Sequence, residues 1–182
     1  MIEGPSFKFG DMFSTLGNEN SLFVVTANSD IKLNGELVMG AGIALQLRNA
    51  CREAGFNICS RAAKYIRLSP EPVIMTDEGL YYGFVLVPPY NAGSQNSILR
   101  QWFGLLQVKY SWRKASSLCL MDSAITTMKS LLMGGILHGK PVQSFSEINV
   151  NYPGIGRGGL PKECVAPLLR GLPKNVNVWE KE

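Results

Sequence analysis

"NVNYPGIGRGGLPKE", residues 149–163, places four glycines in six positions between an apolar, strand-like run and a segment that opens like a helix. Such a run implies that something approaches the backbone closely enough to keep side chains out. Gly154, Gly156 and Gly159 also spell G-x-G-x-x-G, and Glu180 follows about twenty residues on, behind the apolar "VNVW". That is the outline of a dinucleotide-binding fingerprint. The fingerprint, however, belongs to the first strand–helix–strand unit of a larger sheet, and only two residues follow Glu180 here. A dinucleotide-binding domain of that type is therefore not expected.

A second construction of the same kind lies upstream in "VMGAGIALQL", residues 38–47. In both, glycines stand where the chain enters a helix, so several backbone N–H groups lack intrahelical partners and the positive end of the helix dipole is close by. Such a terminus accepts anions. Each loop alone reads equally well as a tight strand-to-helix turn, but two at one sheet edge suit a diphosphate. A Walker A motif is excluded, because Gly35 and Gly40 have its spacing but are followed by Ala41 and Gly42 instead of Lys and Ser or Thr.

The 182 residues fit a single domain spanning 1–182, and the balance of 46 % hydrophobic to 18 % charged residues allows a sizeable core. No apolar stretch approaches the roughly 20 residues of a membrane span, and "MIEGPSFKFGD" lacks a basic region followed by an apolar one. A cytoplasmic protein with no membrane partner is expected. Cys51, Cys59, Cys119 and Cys164 are scattered and His138 is the single histidine, so buried reduced thiols are expected, with no metal site and no cofactor. No acidic residue occurs from Gly79 to Met121, while Arg100, Lys109, Arg113 and Lys114 do. With Trp102, Tyr110 and Trp112 interleaved, this stretch reads either as a single-stranded nucleic-acid platform or as a helix with buried aromatics and solvated bases. The second reading is preferred, and nucleic acid is not an expected partner.

Strand-like and helix-like segments alternate, predicting an α/β protein. Strands are predicted at "SFKFG", "SLFVVTAN", "PVIMTD", "LYYGFVLV", "VQSFSEINV" and "VNVW". One helix is predicted in "GAGIALQLRNACREAG", where Ile43, Leu47, Cys51 and Ala54 recur at helical spacing. Others are predicted over Asn96–Gln107, over Ala115–Met133 with Gly134 and Gly135 as the stop, and from Pro161 to near Gly171.

Together these residues resemble a macro domain, the ADP-ribose-binding fold. The landmarks fall in order: "GD" at Gly10 and Asp11, "VTANS" ending in Asn28 and Ser29, "MGAGIA", and "PGIGRGGL". The form "MGAGIA" is most similar to the branch containing the yeast ADP-ribose-1″-phosphate phosphatase and the human terminal ADP-ribose glutamate hydrolase. The resemblance implies a three-layer α/β/α sandwich with a mixed central sheet of about six strands. It also implies a small-molecule partner, ADP-ribose or ADP-ribose 1″-phosphate, with an ADP-ribosylated protein as a further partner class. A hydrolase of ADP-ribose derivatives is the preferred activity, a non-catalytic reader of ADP-ribose the main alternative, and a single-stranded nucleic-acid binder a more distant one.

By the same resemblance Asp11 accepts from the adenine amino group, Asn28 holds the distal ribose, and Trp179 lies beside the adenine. Gly40, Ala41, Gly42 and Ile43 would wrap one side of the diphosphate, and Gly154, Ile155, Gly156, Arg157 and Gly158 the other, through backbone amides. Asp11 also reads, less strongly, as a helix N-cap and Asn28 as a turn former, while Trp179 reads equally as a core residue. Two departures bear on chemistry. The glutamate-specific hydrolases carry a lysine near the end of the strand matched by "YYGFVLVPPY", where Val87 or Pro88 stands here, and an aspartate after the second loop that "GRGGLPKE" lacks. A lysine-based covalent mechanism is thus not expected. The catalytic candidates are Asn28, Asp30 and Glu36; the two carboxylates of "NSDIKLNGELVMG" could approach the distal ribose and activate water, and read equally as solvated loop carboxylates. His138 is expected in a loop or helix C-cap.

Overall fold

The computed structural model describes residues 3–69, 73–134, 136–137, 140–141 and 145–181. In chain order the elements are β1 (Ser6–Phe9), β2 (Ser21–Ala27), α1 (Gly42–Glu53), α2 (Ile58–Arg67), β3 (Ile74–Thr76), β4 (Gly79–Tyr81), β5 (Phe84–Val87), α3 (Ser97–Arg100), β6 (Trp102–Gln107), α4 (Leu118–Gly134), β7 (Ile136–Leu137), β8 (Lys140–Pro141), β9 (Glu147–Asn151), α5 (Lys162–Leu169) and β10 (Val176–Glu180). A mixed sheet runs in the order β1-β10-β9-β2-β6-β5, with β5 alone antiparallel to its neighbour. This is the expected α/β architecture, and two small hairpins, β3–β4 and β7–β8, stand apart from the sheet.

The near-continuous apolar run of β2 follows from burial on both faces. Leu22 and Val24 join a core with Met121, Ile125 and Met128 of α4 and Val165 and Leu169 of α5. Phe23, Val25 and Ala27 join a second core with Leu47 and Cys51 of α1 and Ile58, Ala62 and Ile66 of α2. Helices thus cover both faces, and the direction taken after each strand matters. From β2 the chain crosses by α1 and α2 to β5 and β6, and from β9 it crosses by α5 on the other face to β10. Neighbouring parallel strands β2 and β9 therefore send their continuations to opposite faces, which opens a crevice at their carboxyl ends.

Several elements differ from the expectations. The helix predicted over Asn96–Gln107 is a single turn, α3, followed by β6, a strand paired on both sides. "WFGLLQ" is an apolar run too short for periodicity to separate helix from strand, and pairing with β2 decides it. "PVIMTD" contributes β3 to a hairpin and not to the main sheet, while "LYYGFVLV" divides into β4 and β5. The division is held by buried Gln107, whose Oε1 accepts from the N–H groups of Tyr82 and Gly83 at 2.9 and 3.0 Å. Helix α2, capped by Asn57 Oδ1 accepting from Ser60 N at 3.1 Å, was not anticipated. Pro161 is the N-cap of α5 and not its first residue. Cys51 and Cys59 are buried, but Cys119 and Cys164 are exposed. His138 and Gly135 lie outside the described residues. Among those residues no helix is long and apolar enough to cross a membrane.

Gly104 occupies the middle of β6, where an added Cβ would lie 2.9 Å from both Phe84 Cζ and Val24 Cγ2. We predict that Gly104→Ala lowers stability by about 1–3 kcal/mol through overpacking, read as a fall in the thermal unfolding midpoint.

Candidate functional site

The crevice is a cleft of about 1030 Å³ lined by residues that follow the parallel strands. Gly10 and Asp11 come from the end of β1, Asn28 from β2, Val108 and Lys109 from β6, Tyr152 and Gly154 from β9, and Trp179 and Glu180 from β10. Four inter-strand steps separate β1 from β6, roughly 19 Å at about 4.8 Å each. Asp11 and Lys109 thus mark opposite ends of an elongated site whose middle is flanked by both glycine loops.

In the first loop the N–H groups of Gly40, Ala41, Gly42 and Ile43 have no acceptor among the described residues, the expected state of an uncapped helix start. In the second, the N–H groups of Gly154, Ile155, Gly156 and Arg157 are likewise without acceptors, while those of Gly158 and Gly159 donate to Ile155 O and Gly156 O in a short 3-10 turn. Leu160 N donates to Gly154 O at 3.0 Å and closes the loop. Eight backbone donors therefore belong to two loops on one cleft.

The glycines of the second loop do not all serve the same end. A Cβ on Gly154 would fall 2.3 Å from Met121 Cε, and one on Gly158 would fall 2.6 Å from Ser116 Oγ. At Gly156 nothing stands within 4 Å of that position, yet φ is +62°. The protein's own side chains thus crowd two of the glycines, and only Gly156 presents open cleft.

Asn28 is 9 % exposed and largely committed: Nδ2 donates to Val38 O at 3.0 Å and Oδ1 accepts from Asp30 N at 2.9 Å. One amide N–H remains for the cleft. Asp11 caps the turn Met12–Thr15 by accepting from Phe13 N at 3.0 Å, and also lines the cleft. Trp179 Nε1 donates to buried Asn149 Oδ1 at 2.8 Å, and Lys8 Nζ lies 5.4 Å from its ring centre.

No protein-family profile matches the chain, and no similar curated protein was found. Among solved structures, the macrodomain of Mycobacterium tuberculosis DarG superposes with a TM-score of 0.62 over 100 % of this chain and 99 % of its own, at 22 % identity. The macrodomain of Thermus aquaticus DarG gives 0.59 over 98 % and 99 %, at 20 % identity. The chain has the macrodomain fold. A third structure, Thermosipho africanus DarTG in complex with ADP-ribose, gives 0.59 at 19 % identity, and the match covers 97 % of this chain but 42 % of that longer chain.

Two catalytic candidates do not line the cleft. Asp30 Oδ2 accepts from Ser111 Oγ at 2.7 Å and Trp112 N at 2.9 Å. Glu36 accepts from Asn57 Nδ2 at 2.6 Å, and hydrogen bonds from Asn57 and Asn34 hold its carboxyl below the ordinary range. The cleft instead contains Lys109, an amine that sequence reading missed. Strand β5 runs antiparallel, so Val87 and Pro88 at its end lie on the sheet edge opposite the cleft. The parallel neighbour β6, misread as helix, is the strand that delivers a lysine. Burial lowers the Lys109 pKa from its ordinary value. Lys32, Arg157 and Lys181 also line the cleft, against the carboxylates Asp11 and Glu180, of which Glu180 pairs with Lys162. In the basic, aromatic stretch Trp102 packs edge-on against Phe145, and of its three aromatics only Trp112 is exposed. Among the described residues no cluster of His, Cys, Asp or Glu could hold a metal ion.

Both Gly154→Ala and Gly156→Ala force a side chain to positive φ at about 1–2 kcal/mol. We predict that Gly154→Ala destabilises further, by about 1–3 kcal/mol, because Met121 and Leu160 must move, and thermal unfolding of the two variants checks the order. Lys109 should also be acylated at lower pH than the surface lysines, a difference that peptide mass spectrometry after pulse labelling measures directly.

Proposed function

We propose that the cleft binds ADP-ribose or a close derivative and hydrolyses derivatives with an anionic substituent at C1″, ADP-ribose 1″-phosphate being the first substrate to test. The observation that carries this reading is the pair of glycine loops, whose acceptorless amides belong to adjacent strands diverging to opposite faces. Such amides meet a diphosphate with charge-assisted hydrogen bonds and no side-chain reorganisation. The axis of the cleft then orders the rest of the ligand. Asp11 accepts from the adenine amino group beside Trp179, and Gly40, Ala41, Gly42 and Ile43 face Gly154, Ile155, Gly156, Arg157 and Gly158 across the pyrophosphate. The free amide N–H of Asn28 binds the distal ribose, which brings C1″ toward Lys109.

Burial lowers the Lys109 pKa and so favours, relative to a surface lysine, the neutral amine that attacks an electrophilic carbon. Attack at C1″ forms an N–C bond while the bond from C1″ to the substituent oxygen breaks, and the electron pair departs with the substituent. Water then attacks C1″ while the N–C1″ bond breaks and its electron pair returns to nitrogen; the water's proton passes to the departed anion, and ADP-ribose and the neutral amine are released. Lys32 shares the cleft and favours an anionic leaving group such as phosphate or carboxylate. An ADP-ribosylated acidic side chain of a protein fits the same chemistry.

Calorimetric titration with ADP-ribose should give a micromolar dissociation constant, about −8 kcal/mol, and Gly156→Val should weaken it tenfold or more while the protein stays folded. Incubation with ADP-ribose 1″-phosphate should release phosphate, and Lys109→Met should abolish release while retaining ADP-ribose binding. Binding without any release by the wild type would instead establish a reader module.

A further inference from the structure

We infer that Asp30 is a positioning residue, locking the turn after β6 to the first glycine loop and so fixing where Lys109 presents its amine. The inference rests on the reading of Lys109 as the reactive amine of the cleft, and it assigns Asp30 a task other than general base catalysis.

Beyond the ends of β2 and β6 the two chains continue as a side-by-side zipper. Val108 N donates to Ala27 O at 3.0 Å, and both the N–H and the hydroxyl of Ser29 donate to Tyr110 O, at 3.0 and 2.7 Å. Asp30 supplies the last tie through its two bonds from Ser111 and Trp112. Lys109 sits between these clamps. Asp30 also reaches the other way, because its carbonyl accepts from Val38 N at 2.9 Å and its N–H donates to Asn28 Oδ1. Val38 in turn accepts from the Asn28 amide and lies two residues before Gly40. One residue therefore joins the distal-ribose amide, the approach to the first glycine loop and the lysine-bearing turn. Both hydrogen bonds at Oδ2 are made within the protein and the side chain lies outside the cleft lining, an arrangement suited to holding a loop and unsuited to activating water.

Carboxylate and amide differ in charge and basicity but share a carbonyl oxygen acceptor, which separates the two roles. In Asp30→Asn the tie to Ser111 and Trp112 survives and any proton-accepting function is lost; in Asp30→Ala both are lost. Two readouts apply: the pH midpoint of Lys109 acylation by acetic anhydride, which needs no turnover, and phosphate release from ADP-ribose 1″-phosphate. Asp30→Ala should move the midpoint up toward that of surface lysines and slow release about tenfold or more, whereas Asp30→Asn should keep both close to wild type. Ser111→Ala, which breaks the same tie from the other side, should shift the midpoint in the same direction by less. An unchanged midpoint in both Asp30→Ala and Ser111→Ala overturns the inference, as does loss of release in Asp30→Asn with the midpoint intact. A shifted midpoint in a wild-type background that releases no phosphate would sustain the positioning role and defeat the hydrolase reading instead.

Discussion

The constraint on which the rest of the molecule depends is the divergence of two neighbouring parallel strands. β2 and β9 pair over residues 21–24 and 147–150, yet the chain leaves β2 toward the layer of α1 and α2 and leaves β9 toward the layer of α4 and α5. Side chains cannot fill the gap between two departing loops without blocking one of the crossings, so the gap persists as a crevice at the carboxyl edge. Both sets of acceptorless amides, the half-committed Asn28 and, at the far end, Lys109 line it. The two cores built on the alternate faces of β2 hold the crevice open, since neither layer can shift without uncovering apolar surface that is now fully buried.

The glycine loops show how packing and binding share one sequence motif. Gly154 and Gly158 are small because Met121 and Ser116 come up beneath them, which anchors the loop to the α4 side of the fold. Gly156 shares the positive φ of Gly154 but has nothing of the protein near the missing Cβ. A loop pinned at both ends and bare at its centre keeps its amides oriented without a ligand present, which reduces the ordering cost of binding. At the other end of the cleft, backbone pairing and the side chains of Ser29 and Asp30 tie residues 27–30 to residues 108–112, on either side of Lys109.

Much of this was legible in the sequence. The order of "GD", "VTANS", "MGAGIA" and "PGIGRGGL" pointed to the three-layer fold and to the mixed six-stranded sheet, because glycine loops and strand ends leave local signatures. What was not legible required long-range pairing. "WFGLLQ" has the composition of either a short helix or a buried strand, and only its ladder with β2 resolves it. Read as helix, that segment gives Lys109 no strand end to present it, while Val87 and Pro88 end a strand that points to the sheet edge opposite the cleft. Asp30 and Glu36 stood in the right loop by sequence, but hydrogen-bond partners more than twenty positions away occupy their carboxylates. Nothing local announces that a carboxylate is already engaged.

The central claim is that backbone amides of both loops hold one diphosphate, and amide chemical shifts test it most directly. In a 15N-labelled sample titrated with ADP-ribose, the account predicts that Gly40 to Ile43 and Gly154 to Arg157 shift together, with a common saturation curve. ADP, which keeps the diphosphate, should reproduce most of those shifts. Perturbation of one loop without the other, or shifts confined to residues outside the cleft, would contradict it.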